Sequence, residues 1–98
     1  MTKKELKKVV EEMLGEDENI LLADGFEDAF VGIGRQFSNP PYAIYDREEC
    51  IEILMDDMSE EEAEEYFEYN VQGAYVGEST PSFVETLKFN KEVKNQIK

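Results

Sequence analysis

Apolar residues Leu6, Val9, Val10, Met13 and Leu14 fall at the three-and-four spacing of one helical face, and Gly15 follows as a stop. The pattern predicts a helix over about residues 3–14. Glu16 to Asn19 reads as a polar loop, and Ile20-Leu21-Leu22 is too short an apolar run to assign to strand or helix. After a turn at Asp24-Gly25, the residues Ala29, Val31, Ile33 and Phe37 alternate with Phe30, Gly32, Gly34 and Gln36, the period of a strand. Ser38-Asn39-Pro40-Pro41 breaks it, and the β-prone stretch Tyr42 to Tyr45 follows, so the pair reads as an antiparallel hairpin with a four-residue loop.

Asp46, with Glu49 three residues on, has the spacing of a capping box, and Cys50, Ile51, Leu54, Met55 and Met58 form the apolar stripe of a second helix. Ser59 and Glu62 repeat the device. Ala63, Tyr66, Phe67, Val71 and Ala74 then line one face of a third helix, expected to end near Gly77 and to be the longest element. Beyond Thr80-Pro81, the residues Phe83, Val84 and Leu87 suit a short edge strand, and the Lys-rich stretch after them is helical or frayed. The fold class expected is α+β, a single domain over 1–98 with its core in about 20–87 and the order α-β-β-α-α, with a third strand optional. Cys50, Leu54, Phe67 and Val71 should share one apolar layer.

At 41% hydrophobic residues the chain is too apolar for a disordered acidic tail, despite a net charge of −14. The lone Cys50 has no internal disulfide partner, which points to a reducing compartment and a cytoplasmic location. No apolar run has the length of a membrane span, and no signal-peptide pattern follows the early lysines. The charge is segregated: residues 1–10 and 88–98 each hold four lysines against one glutamate, while 11–87 hold 22 acids against Arg35 and Arg47. Such a field repels nucleic acid and anionic membrane and favours a protein partner with a basic surface.

The absence of histidine removes the commonest general base, the common metal ligand and the Ser/His and Cys/His nucleophile pairs. Cys50 lies on an apolar stripe among carboxylates, where burial and negative charge both quiet a thiol. Gly32-Ile33-Gly34 lacks the further glycine or the Gly-Lys-Ser/Thr of a phosphate loop, and no acid run has calcium-loop spacing. The expectation is therefore a non-enzyme without cofactor or metal, with a paired-carboxylate acid/base site among the 24 acids as the lesser alternative. Asn70, between Phe67 and Val71 on the third helix, reads as a buried amide that pins nearby backbone. The alternative is a small-ligand or nucleotide pocket around Asn70, Tyr75 and Glu78, with Tyr45 or Tyr66 as neighbours.

Residues 46–68 carry twelve acids and one arginine. Five like-charged i,i+4 pairs (Glu48-Glu52, Glu52-Asp56, Glu60-Glu64, Glu61-Glu65, Glu64-Glu68) would each destabilise a helix by roughly 0.2–0.5 kcal/mol. As one continuous helix the stretch would span about 35 Å. That places one charge per roughly 2.9 Å, against about 3.4 Å per phosphate in a DNA strand, the spacing of a nucleic-acid mimic. The partner-binding candidates are Glu48, Glu52, Asp56, Glu61, Glu65 and Glu68. A face kept acidic only for solubility is the competing explanation.

Between Ala23 and Val84 the chain resembles a family of small proteins of no established activity encoded in tailed-phage genomes and prophages. The resemblance rests on Asp24-Gly25-Phe26, on Ala43-Ile44-Tyr45 leading into Cys50-Ile51-Glu52-Ile53-Leu54, and on Tyr66-Phe67-Glu68-Tyr69-Asn70. It closes with Gly73-Ala74-Tyr75-Val76-Gly77-Glu78 and Thr80-Pro81. It implies a viral origin and a small accessory protein that binds, and blocks or redirects, a host or phage machine.

Overall fold

The structure, a computed structural model, describes residues 1–74, 76–77 and 79–87. Among the described residues, three helices and a three-stranded mixed sheet follow in the order α-β-β-α-α-β. Helix α1 (Lys3–Met13) opens on a reciprocal cap: Glu5 N donates to the Thr2 hydroxyl at 3.1 Å and Thr2 N donates to Glu5 at 2.8 Å. Leu6 and Val10 turn inward, whereas Val9 and Met13 stay in solvent, so the inward stripe is narrower than the sequence pattern. At the exit Gly15 N donates to Glu18, and the same carboxylate takes two bonds from Arg35, at 2.7 and 2.9 Å. These contacts tie the end of α1 to the hairpin.

Strands β1 (Phe30–Gly34) and β2 (Tyr42–Asp46) form the antiparallel hairpin. An irregularity between Phe30 and Gly32 shifts the register, and with it the faces: Phe30 packs toward the core while Val31 is 54% exposed. The expected alternation from Ala29 to Phe37 thus holds only in part: Val31 turns outward at the irregularity, and the strand ends at Gly34, before Phe37. The connection covers residues 35–41, longer than the expected four-residue loop. Its turn bonds Asn39 N to Gln36 O, sets Ser38 at φ 66° and leaves Phe37 97% exposed.

Asp46 ends β2 and begins helix α2 (Arg47–Leu54), its buried carboxylate accepting from Glu49 N and from the Thr86 hydroxyl at 3.0 Å. One side chain thus caps a helix and holds the chain after strand β3 (Ser82–Val84). That strand lies parallel to β2 at the sheet edge, in the order β1-β2-β3. A parallel pair needs a long crossover, and the helices between β2 and β3 supply it.

Helix α3 (Glu60–Tyr66) starts on the reciprocal Ser59/Glu62 cap. It does not continue as an α-helix to Gly77. From Phe67 to Gln72 it widens into a π-helical segment and closes at Gly73. A Cβ at Gly73 would sit 2.8 Å from the Glu68 carbonyl oxygen, so the tight closure suits only glycine. Gly77, at φ +111°, serves a later turn in which the Thr80 hydroxyl accepts from Val76 N and donates to Gly77 O. Ala74, expected on the helix face, lies beyond the helix and is exposed.

The core joins Phe26, Ala29, Ala43, Tyr45, Cys50, Ile51, Ala63 and Phe67. Tyr45 stacks on Phe83 and meets Phe30 edge-on, and Phe67 meets Phe83 and Phe26 edge-on. Edge-on and offset stacked pairs are the arrangements that aromatic quadrupoles favour. Cys50 and Phe67 are fully buried, while Leu54 and Val71 flank them half-buried. The unassigned stretch 20–23 is neither strand nor helix; Ala23 N donates to the Tyr45 hydroxyl at 2.8 Å, which straps the stretch across the core.

Candidate functional site

The acidic stretch divides between two short helices. At 1.5 Å per residue α2 is about 12 Å long and α3 about 10 Å, separated by a turn and packed against each other. The single 35 Å rod of charge is corrected accordingly. Of the five like-charged pairs, Glu48-Glu52, Glu60-Glu64 and Glu61-Glu65 keep α-helical spacing. Asp56 falls in the turn after α2, and Glu68 in the π segment, so the other two pairs lose it.

Arg47 divides the six candidates further. Its half-buried guanidinium lies 5.6 Å from the centre of the Phe67 ring and pairs with Glu48 at 3.4 Å and Glu68 at 3.3 Å. Those two carboxylates are partly neutralised within the fold. Glu52, Asp56, Glu61 and Glu65 are exposed, and among the described residues none has a cation partner. They form the free part of the acidic surface. Glu52 and Asp56 border a small depression with Asp28 and Glu49, and Glu65 borders another with Glu62, Tyr66, Tyr69 and Asn70.

Asn70 is exposed, not buried, and its amide donates to the carbonyl of Tyr66 at 3.3 Å rather than to the hairpin or the segment after Gly77. The α-helical count that placed it between Phe67 and Val71 assumes 3.6 residues per turn; the wider π turn rotates it outward. Tyr45, proposed as a pocket neighbour, is sealed in the core. Tyr75 and Glu78 lie outside the described residues.

A groove of about 740 Å³, which no sequence pattern revealed, opens among the described residues. Its apolar wall includes Leu22, Phe26, Ile53, Leu54, Val71 and Phe83, with Leu21, Tyr66 and Val76 at its exposed rim. Asn70 borders it, as do Asp24 and Asp57. Asp24 pairs with Lys3 at 3.0 Å, whereas Asp57 has no cation partner among the described residues. No described lysine or arginine lines the groove.

Burial, with Asp46 and Glu49 nearby, pushes the Cys50 thiol up to about 12, far from a nucleophile's range. Among the described residues no group of three or more Cys, Asp or Glu side chains is arranged to hold a metal ion, and no helix is long and apolar enough to cross a membrane. Compared with known proteins, the chain matches no protein-family model, no curated protein and no solved structure.

Proposed function

We propose that this chain is a non-enzymatic binding protein of phage accessory type that engages a protein with a basic surface through the acids of α2 and α3. The supporting observation is the set of four exposed acids, Glu52, Asp56, Glu61 and Glu65, without cation partners among the described residues. The charge of Glu52, Glu61 and Glu65 is unfavourable within the helices, and that of all four becomes favourable against cations, while the long-range field of a −14 chain speeds encounter. Two short packed helices offer a compact cluster of charge, so imitation of nucleic acid would act on a local basic pocket rather than along an extended groove. The resemblance to tailed-phage proteins supports a partner in a host cytoplasm, where binding would block or redirect a host or phage machine.

The test is capture from host lysate by the intact protein and by the variant Glu52→Gln/Asp56→Asn/Glu61→Gln/Glu65→Gln, at low and high salt. A basic protein retained by the parent at low salt, released at high salt and lost with the variant supports this reading. Equal capture by both proteins at both salts rejects it.

A small-ligand reading draws on Asn70 at the groove. The Asn70 amide is engaged with its own helix and the bordering charges are carboxylates, so a nucleotide's phosphates would be repelled. Any such ligand would be apolar and neutral or cationic.

A further inference from the structure

We infer that the apolar groove is the seat for one basic amphipathic helix of the protein partner, an inference that rests on the partner reading above and names the element recognised. Two neutral polar side chains at the groove are already engaged locally. Asn70 donates to Tyr66 O, and the Thr80 hydroxyl both donates to Gly77 O and accepts from Val76 N. Small-molecule sites present a few convergent polar groups that fix orientation. This groove instead offers an aliphatic and aromatic wall, fit for a row of apolar side chains at i, i+3/i+4 and i+7.

Charge complementarity selects the rest of the occupant. Asp57 lines the groove without a cation partner among the described residues, Asp24 lines it paired with Lys3, and Glu62 and Glu65 border the adjoining depression, which shares Met58, Tyr66 and Asn70 with it. A helix whose apolar stripe is flanked by lysines or arginines satisfies both surfaces at once; an acidic or neutral helix satisfies only the wall. Leu21, Tyr66 and Val76 at the rim are between 44% and 63% exposed, apolar surface that such a helix would cover.

The experiment titrates the full chain, ¹⁵N-labelled, with a synthetic Lys/Leu peptide whose leucines repeat at i, i+3/i+4 and i+7, and with a scrambled peptide of the same composition. Expected are amide shifts concentrated at residues 21–26, 57–58 and 70–76 for the amphipathic peptide alone. Its affinity should fall on the order of tenfold in Leu21→Ser/Val76→Ser, from the partial loss of two aliphatic contacts. These rim residues are exposed enough for the fold to survive their change. Equal binding of the scrambled peptide, with shifts confined to the acids of α2 and α3, overturns the groove inference and leaves the acidic-face proposal standing. No binding of the amphipathic peptide also overturns it, and the lysate capture then decides the acidic face separately. A third outcome overturns it differently: binding that appears only after Phe89→Ser/Val93→Ser/Ile97→Ser, whose apolar positions repeat every four residues among lysines, would make the chain's own residues the occupant.

Discussion

Residues 29–45 and 46–68 are neighbours in sequence and packed together in space, yet they divide the chemistry of the molecule between them. The first stretch contains no acid and only Arg35; the second contains twelve acids and only Arg47. The hairpin, the edge strand β3 and the inward faces of the helices hold the fold through Tyr45, Phe83, Phe67 and Cys50. The outward faces of α2 and α3 gather charge that opposes helix formation. On the proposed reading, stability and recognition rest on different atoms of the same helices, and the outward charges lower the first while serving the second.

The largest expected effect comes from the shared core. Phe67→Ala removes a fully buried ring that touches both Phe26 and Phe83, and should cost about 3–5 kcal/mol, read as a fall in the urea midpoint. A smaller loss would place the core elsewhere. Tyr45→Phe keeps the ring but leaves Ala23 N without its acceptor, for about 1–2 kcal/mol and faster exchange of that amide. On the charged side the sign reverses. Glu52→Gln/Glu61→Gln relieves two of the three helical like-charged pairs, and should raise stability by about 0.4–1 kcal/mol at low salt, a gain that shrinks as salt is added. Asn70→Leu, at an exposed position, should change stability by less than about 0.5 kcal/mol.

Two ionisable groups sharpen the contrast through pH. The Cys50 thiol rises from an ordinary 9.0 to about 12, so the fold favours its neutral form. Its contribution is whole below pH 9 and is lost as pH climbs from 9 toward 12. Alkaline unfolding should be less steep in Cys50→Ala, and native protein at neutral pH should resist thiol reagents. Glu18 behaves oppositely. Arg35 and the Gly15 amide hold its carboxyl at about 2, below its ordinary 4.5, so its contribution is present above pH 4.5 and fades as pH falls toward 2. Arg35→Ala should flatten that acid limb of the stability curve.

Caps and breakers made much of the fold legible in the sequence. Gly15 marks the end of α1, Asp46 and Ser59 mark the starts of α2 and α3, and the two prolines fall within the hairpin connection, clear of both strands. What escaped was local irregularity. A single register shift near Val31 exchanges the faces of β1, and the π turns after Tyr66 carry Asn70 to the surface. Both events add residues to a regular repeat, and a pattern read at fixed period has no means to register them. The six acids were legible as a cluster, but their division was not, because Arg47 reaches Glu68 only once the helices pack. The groove was invisible for a related reason: four segments distant in sequence contribute its walls.

The proposed opposition between stability and recognition is tested most directly by measuring both on one protein. The variant Glu52→Gln/Asp56→Asn/Glu61→Gln/Glu65→Gln should melt at a higher temperature than the parent at low salt while binding the captured basic partner more weakly, with a shallower dependence on salt. A rise in stability with partner affinity unchanged at low and high salt would contradict the account, and would leave the acidic helices as a solubilising surface alone.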